Sequence, residues 1–481
     1  MLSKYAERLE QTGTRPSPCN GCFGSTKSGC FRGFGASRRQ KLRQTTGGKS
    51  PSAAPRQRCL LKHQVASLVP GAAQKMPQTD MNTITSNEVD PTRKLDLART
   101  HLERLDVYLD EDPENGALLS DAFRAALTCS DWERATEYLR RGQVLVELPL
   151  QWALHEAELL MAQELWAQAK ACLELLEDRK DTSAGFRLAV ACNLGFVFFQ
   201  EGDFAGCVKH LTSLLEDGAT ALVEPATQQL WLRALHRTGE LDRALRWARG
   251  VESHGGLSPQ AASVASLIAF DASDIANAVR WSDLAIGKQS EVDLPLEALV
   301  ARASLSLAIN NAAECYRYAQ DALRIKPSDG RAWSVLAFAQ MLSGQIEAAR
   351  HSFAKAVHAM PRHIGTWHGL AWAQIQLGDL NAALTSFQSA LALDRNFAES
   401  YGGIAVVLAM QNKATPAREY IEIADRLDKT NVSGRYALSI LSGDAQDAQA
   451  LQRLAQRLLA GRTTLAGTSL GEVVNQKPLN G

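Results

Sequence analysis

Apolar positions in this chain fall into a pattern that is written three times between Gly330 and Asn431 at a spacing of 34 residues. Trp333, Trp367 and Tyr401 stand at that spacing, as do Leu336, Leu370 and Ile404, each followed by an alanine (Ala337, Ala371, Ala405). The second half of each unit carries Ala349, Ala383 or Ala417, a large apolar residue four positions later (Phe353, Phe387, Ile421), and then Ala356, Ala390 or Ala424. Between the halves lies a polar break: Ser343-Gly344-Gln345, Leu377-Gly378-Asp379, Gln411-Asn412-Lys413. Spacings of three and four put the apolar residues on one helical face, and Gly or Asn in the break ends the helix, so each unit reads as two amphipathic helices joined by a tight turn. The small residues mark where the helices cross closely, and the large ones fill the space beside them.

A 34-residue period with W-x2-L-small, a Gly-centred turn, A-x3-F and a closing proline, Pro361 in the first unit, resembles the tetratricopeptide repeat. One helix pair cannot bury its apolar face alone, so neighbours must stack. The resemblance implies an all-α, right-handed superhelical solenoid whose concave wall is made by the first helix of each unit and receives peptides or partner helices. Placed on the motif, the wall residues are Phe196, Phe199, Arg233, His236, Leu267, Phe270, Leu307, Phe338, Met341, His368, Trp372, Ile375, Val406 and Met410. Arrays that hold acidic chaperone tails use paired lysines and asparagines in these slots, which here are mostly apolar or small. Of an asparagine ladder like that of the related glycosyltransferases, only Asn193 is present. An apolar, aromatic wall suits an amphipathic helix or hydrophobic segment.

The same grammar, more degenerate, extends toward the N-terminus. Ser130-Asp131-Trp132 precedes Ala135 and Leu139, and Glu164-Leu165-Trp166 precedes Ala169 and Leu173. Gly202-Asp203-Phe204 then leads to Cys207 and Leu211, Gly239 to Ala244 and Ala248, Ser273-Asp274-Ile275 to Ala278, and Asn310-Asn311 to Cys315 and Ala322. About nine units result, starting near 116, 150, 188, 225, 259, 296, 330, 364 and 398 and filling 116–431. Residues 92–115 read as a capping helix with Leu95, Leu97, Ala98, Leu102, Leu105 and Tyr108 on one face. Residues 432–460 read as two terminal helices, and 461–481 as a loose tail.

Charge adds an asymmetry. The net charge is zero, yet residues 1–80 hold 14 Lys+Arg against 3 Asp+Glu, leaving 38 against 49 for the rest. Residues 1–91 are Gly-, Ser-, Pro- and Arg-rich without helical period, the composition of a disordered basic leader. Two readings of it stand side by side: a real tail, or sequence upstream of a true start at Met76 or Met81. Cys19-x2-Cys22 with Cys30 lacks a fourth zinc ligand at suitable spacing, and Thr46 to Ser50 ends like a phosphate loop without its first glycine or a preceding strand. No apolar run is long enough to span a membrane. Cys192, Cys207 and Cys315 read as small apolar packers in a reducing, cytoplasmic setting. His351 and His358 fall on a solvated helical face. With no set of nucleophile, base and orienting group, the expectation is a non-enzymatic adaptor with no metal or cofactor, no small-molecule substrate, and a protein partner. The alternative is an accessory subunit of an enzyme or a secretion/envelope complex, tethered to nucleic acid or an anionic surface through the leader.

Overall fold

The computed structural model describes residues 91–145, 149–216, 223–287, 295–444, 448–459, 461–464 and 467–469. The expectations for the leader, its start codons, its cysteines and its phosphate-loop-like stretch lie outside these residues, as does most of the tail. A first helix, α1 (Pro91–Glu111), leads into nine helix pairs. They are α2/α3 (Gly116–Cys129, Trp132–Val144), α4/α5 (Pro149–Ala162, Trp166–Glu177), α6/α7 (Ala184–Gln200, Phe204–Glu216), α8/α9 (Pro225–Thr238, Leu241–Ser253), α10/α11 (Pro259–Asp271, Ile275–Gly287), α12/α13 (Leu296–Ala308, Ala312–Ile325), α14/α15 (Gly330–Leu342, Ile346–Ala359), α16/α17 (Ile364–Gln376, Leu380–Leu393) and α18/α19 (Ala398–Met410, Ala414–Leu427). Two more helices follow, α20 (Val432–Ser442) and α21 (Ala448–Leu459). The molecule is an all-α superhelical solenoid.

One turn, used nine times, makes the pairs. Its middle residue adopts the left-handed conformation: Ser130, Glu164, Gly202, Gly239, Ser273, Asn310, Gly344, Gly378 and Asn412. The next residue's N–H then reaches back to the carbonyl five positions earlier, as in Asp131 to Ala126, Asp274 to Ala269 and Lys413 to Leu408, at 2.8–2.9 Å. This satisfies a carbonyl at the end of the first helix. At Asp131, Asp203, Asp274, Asn311 and Asp379 the same residue turns its side chain onto a backbone N–H of the next helix, capping it. Glycine takes the left-handed position without penalty, while the five other residues each sustain a strain of about 1 kcal/mol.

Packing follows the small residues. Ala135, Ala169, Cys207, Ala244, Ala278, Cys315, Ala349, Ala383 and Ala417, one per second helix, are all buried, as the 34-residue register predicts. Cys192, Cys207 and Cys315 are free thiols inside the core. Phe353 and Phe387 are wholly buried because the following first helix opposes them with glycine: a Cβ at Gly369 would lie 2.3 Å from Phe353, and one at Gly403 would lie 2.4 Å from Phe387. Each second helix packs against its own first helix and the next one, while successive first helices from α8 to α18 also touch each other and so form the inner layer.

The ends are closed differently. On α1 the buried residues are Leu102, Leu105 and Leu109. Leu97 and Tyr108, expected on that face, are exposed, because the three-four stripe through 95, 98, 102, 105 and 109 leaves them off its edge. At the other end α20 takes the place of a tenth first helix. Gly402 lies against the backbone of Gly434, and Glu399, almost wholly buried, accepts from the N–H groups of Val432 (2.8 Å) and Ser433 (3.0 Å) at the start of α20.

Candidate functional site: the wall of first helices

The inner layer is more closed than its sequence suggests. Of the expected wall residues, Phe196, Leu267, Phe270, Phe338, His368, Ile375 and Val406 are buried. The side chains meant to face a partner are instead covered by residues of neighbouring helices, largely second helices. Phe196 meets Trp166 edge-on at 6.0 Å, and Phe338 meets Phe353 at 4.9 Å. His368 is fully enclosed between Phe387 (5.1 Å) and Phe397 (5.2 Å), with Nε2 2.8 Å from Ser400 Oγ on the next first helix. Burial pushes its pKa down to about 3, so it is a neutral core residue rather than the titratable edge of a groove. Phe199, Arg233, His236, Leu307, Met341 and Trp372 remain half-buried, and Met410 is exposed.

Between α8 and α14 the wall is polar. Arg233 on α8 donates to Glu297 on α12 at 2.7 Å, across the intervening α10, and Ser263 of α10 lies 3.5 Å from the second carboxylate oxygen. Asp271, the last residue of α10, sits 2.6 Å from His236 Nε2 on α8 and receives both terminal nitrogens of Arg331 on α14, at 2.8 and 2.7 Å, across α12. Burial drives the Asp271 carboxyl upward, but the Arg331 charge and the contacts of His236 outweigh it and hold the group at about 2. Sequence reading named Arg233 and His236 but missed Asp271, Glu297 and Arg331. A signal was present: Asp271 and Arg331 are the single charged residues of α10 and α14.

Toward the C-terminus the wall is apolar. Leu307 and Met341 pack partly exposed on the Phe338–Phe353 cluster. Trp372 leans on Phe387 (5.8 Å) and faces Tyr436 of α20 (6.3 Å), and Met410 projects one repeat further on. Leu307, Met341, Trp372 and Met410 lie on four successive first helices, each with apolar surface left for solvent or a partner.

A second polar cluster lies near the N-terminus, buried between α2 and α4. Ser120 Oγ is 2.8 Å from His155 Nε2, and His155 Nδ1 is 2.9 Å from Glu158 Oε2, with Gln151 Nε2 donating to Ser120 at 3.1 Å. The order resembles a hydrolase relay. The serine is nevertheless buried, Phe123 (4.8 Å) and Trp152 (5.1 Å) pack on the imidazole, and the cluster serves to tie two repeats together. Among the described residues no group of three or more His, Cys, Asp or Glu is assembled to hold a metal, and no helix is long and apolar enough to cross a membrane.

Paired helices, a shared left-handed turn and an inner layer of first helices define the class: a helix-turn-helix repeat solenoid. Residues 364–397 match the family model described as tetratricopeptide repeat. No curated protein matches the chain. Similar solved structures include a monomeric mutant of IFIT1 with Gppp-AAAA (14% identity, TM-score 0.43, 80% of this chain and 94% of that one). The APC/C hetero-tetramer Cut9–Hcn1 is another (15%, 0.36, 72% and 79%). A third is MamA (15%, 0.30, 33% and 94%).

Proposed function

We propose that this protein is a non-enzymatic adaptor that holds one face of an amphipathic partner helix against the C-terminal part of its inner wall. The observation that carries the reading is the half-buried Trp372, flanked by Met341 and Leu307 on one side and by Met410 and Tyr436 on the other. An apolar partner face would cover these residues, and the unbranched Met side chains adapt to its shape. The free, buried thiols accord with a cytoplasmic setting. Partially exposed Trp anchors often contribute about 2 kcal/mol or more, so Trp372→Ala should weaken partner binding on the order of thirtyfold. Titration calorimetry with a partner captured on the full chain measures the loss, and circular dichroism shows whether helix content is kept. If Trp372→Ala instead melts the array, or leaves affinity unchanged, the wall is not the site.

A further inference from the structure

The polar clusters of the middle wall join helices two repeats apart: 64 residues separate Arg233 from Glu297, and 60 separate Asp271 from Arg331. The two bridges overlap, one spanning α10 and the other α12. Contacts between adjacent repeats survive modest flexing of a solenoid, because each interface is a rigid unit. A contact between a repeat and the next but one is different, since its length changes with the rotation accumulated over two interfaces. The carboxylates of Asp271 and Glu297 are also largely removed from water, and the guanidinium fork of Arg331 fits only one geometry. Every residue of α10 from Ala261 to Asp271, the helix that the Arg233–Glu297 bridge crosses, is buried, including Leu267, packed beside Leu299 and Val300 of α12, and Phe270, both of which the motif turns toward the groove.

We infer that the Arg233–Glu297 and His236–Asp271–Arg331 bridges form a latch that fixes the curvature of the array between α8 and α14 and holds the groove shut over Leu267 and Phe270. Releasing it lets this section unwind and exposes a second apolar stretch of wall, continuous through Leu307 with the open C-terminal section. The molecule then has two curvatures, and the bridges set which is populated. This inference is independent of whether Trp372 anchors a partner.

The test is a charge-reversal cycle on the full chain, read by amide hydrogen exchange and small-angle scattering. Arg233→Glu should accelerate exchange in residues 259–271 by about tenfold or more, raise the radius of gyration, and leave protection in 364–427 unchanged. Adding Glu297→Arg to the same chain should bring exchange back to within about threefold of the parent. Should Arg233→Glu not fold, Arg233→Met removes the bridge without placing two acids together and is expected to give the same local acceleration. Parental exchange and size in the single variants, no recovery in the double variant, or an equal loss of protection along the whole array would each overturn the latch.

Discussion

Between α8 and α14 the inner wall is drawn together by charges that reach across two repeats, whereas between α16 and α20 it is closed by the absence of side chains. Gly402 lies on Gly434, and the polar contact between His368 and Ser400 is neutral. The two regions share the same turn and the same small-residue slot in each second helix, so the fold itself does not depend on how the inner layer is held. What differs is what is left over. Charges saturate each other in the middle and leave an enclosed α10; in the C-terminal third close packing leaves Met341, Trp372 and Met410 on the open side. One repeat grammar therefore yields a section bridged by charges and one with apolar side chains left open.

The comparison can be broken most forcefully where the two regions agree. Ala383→Arg forces a charged, oversized group between close-packed helices and should cost on the order of 5 kcal/mol, where Arg at exposed Gln345 should cost almost nothing. Urea titrations of both variants measure the difference, and equal tolerance would show that the alanine slot is not the helix crossing.

Acid separates the regions. His368 is held neutral with a pKa lowered from 6.5 to about 3, so the unfolded chain binds a proton that the folded chain refuses. Stability is intact above pH 6.5 and falls as pH drops toward 3, by on the order of 4 kcal/mol over the window. Asp271 acts in a lower window. Its pKa is lowered from 3.8 to about 2, so its contribution, on the order of 2 kcal/mol, is present above pH 3.8 and is lost as pH falls through about 2. Urea midpoints between pH 7 and 4 should lose most of their slope in His368→Asn but keep it in Asp271→Asn. The reverse outcome would mean that the buried imidazole is not the acid-sensitive group.

The smallest effect is expected at ion pairs that tie a second helix to an adjacent repeat, such as Arg249–Asp274 (2.6 Å) and Arg243–Glu216 (2.8 Å). Arg249 is half-exposed, and Arg249→Ala should change thermal stability by less than about 1 kcal/mol. A larger loss would mean that the array is held from outside as well as from within.

The repeat boundaries were legible in the sequence because their determinants are local. A left-handed turn residue, an Asp or Asn cap and an alanine four positions before a large apolar residue all lie within one unit, and seven of the nine predicted starts coincide with the first residue of a helix. The starts near 150 and 188 fall one and four residues inside α4 and α6, where the motif is weaker. The wall was harder to read. Whether Phe338 or His368 meets solvent depends on how closely the next first helix approaches, and Asp271 finds its partners 35 and 60 residues away. The 34-residue motif states which face of a helix a residue occupies, but not how far the neighbouring repeats close over it. The Ser120–His155–Glu158 cluster escaped for the same reason, since its serine and imidazole come from different repeats.

The claim that the wall has an open C-terminal section and a latched middle is tested most directly by amide exchange of the full chain, free and saturated with a captured partner. Added protection should concentrate on α12, α14, α16 and α18, at the segments carrying Leu307, Met341, Trp372 and Met410, with α8 and α10 unchanged. Protection gained instead on α8 and α10, or on the outward second helices, would contradict it.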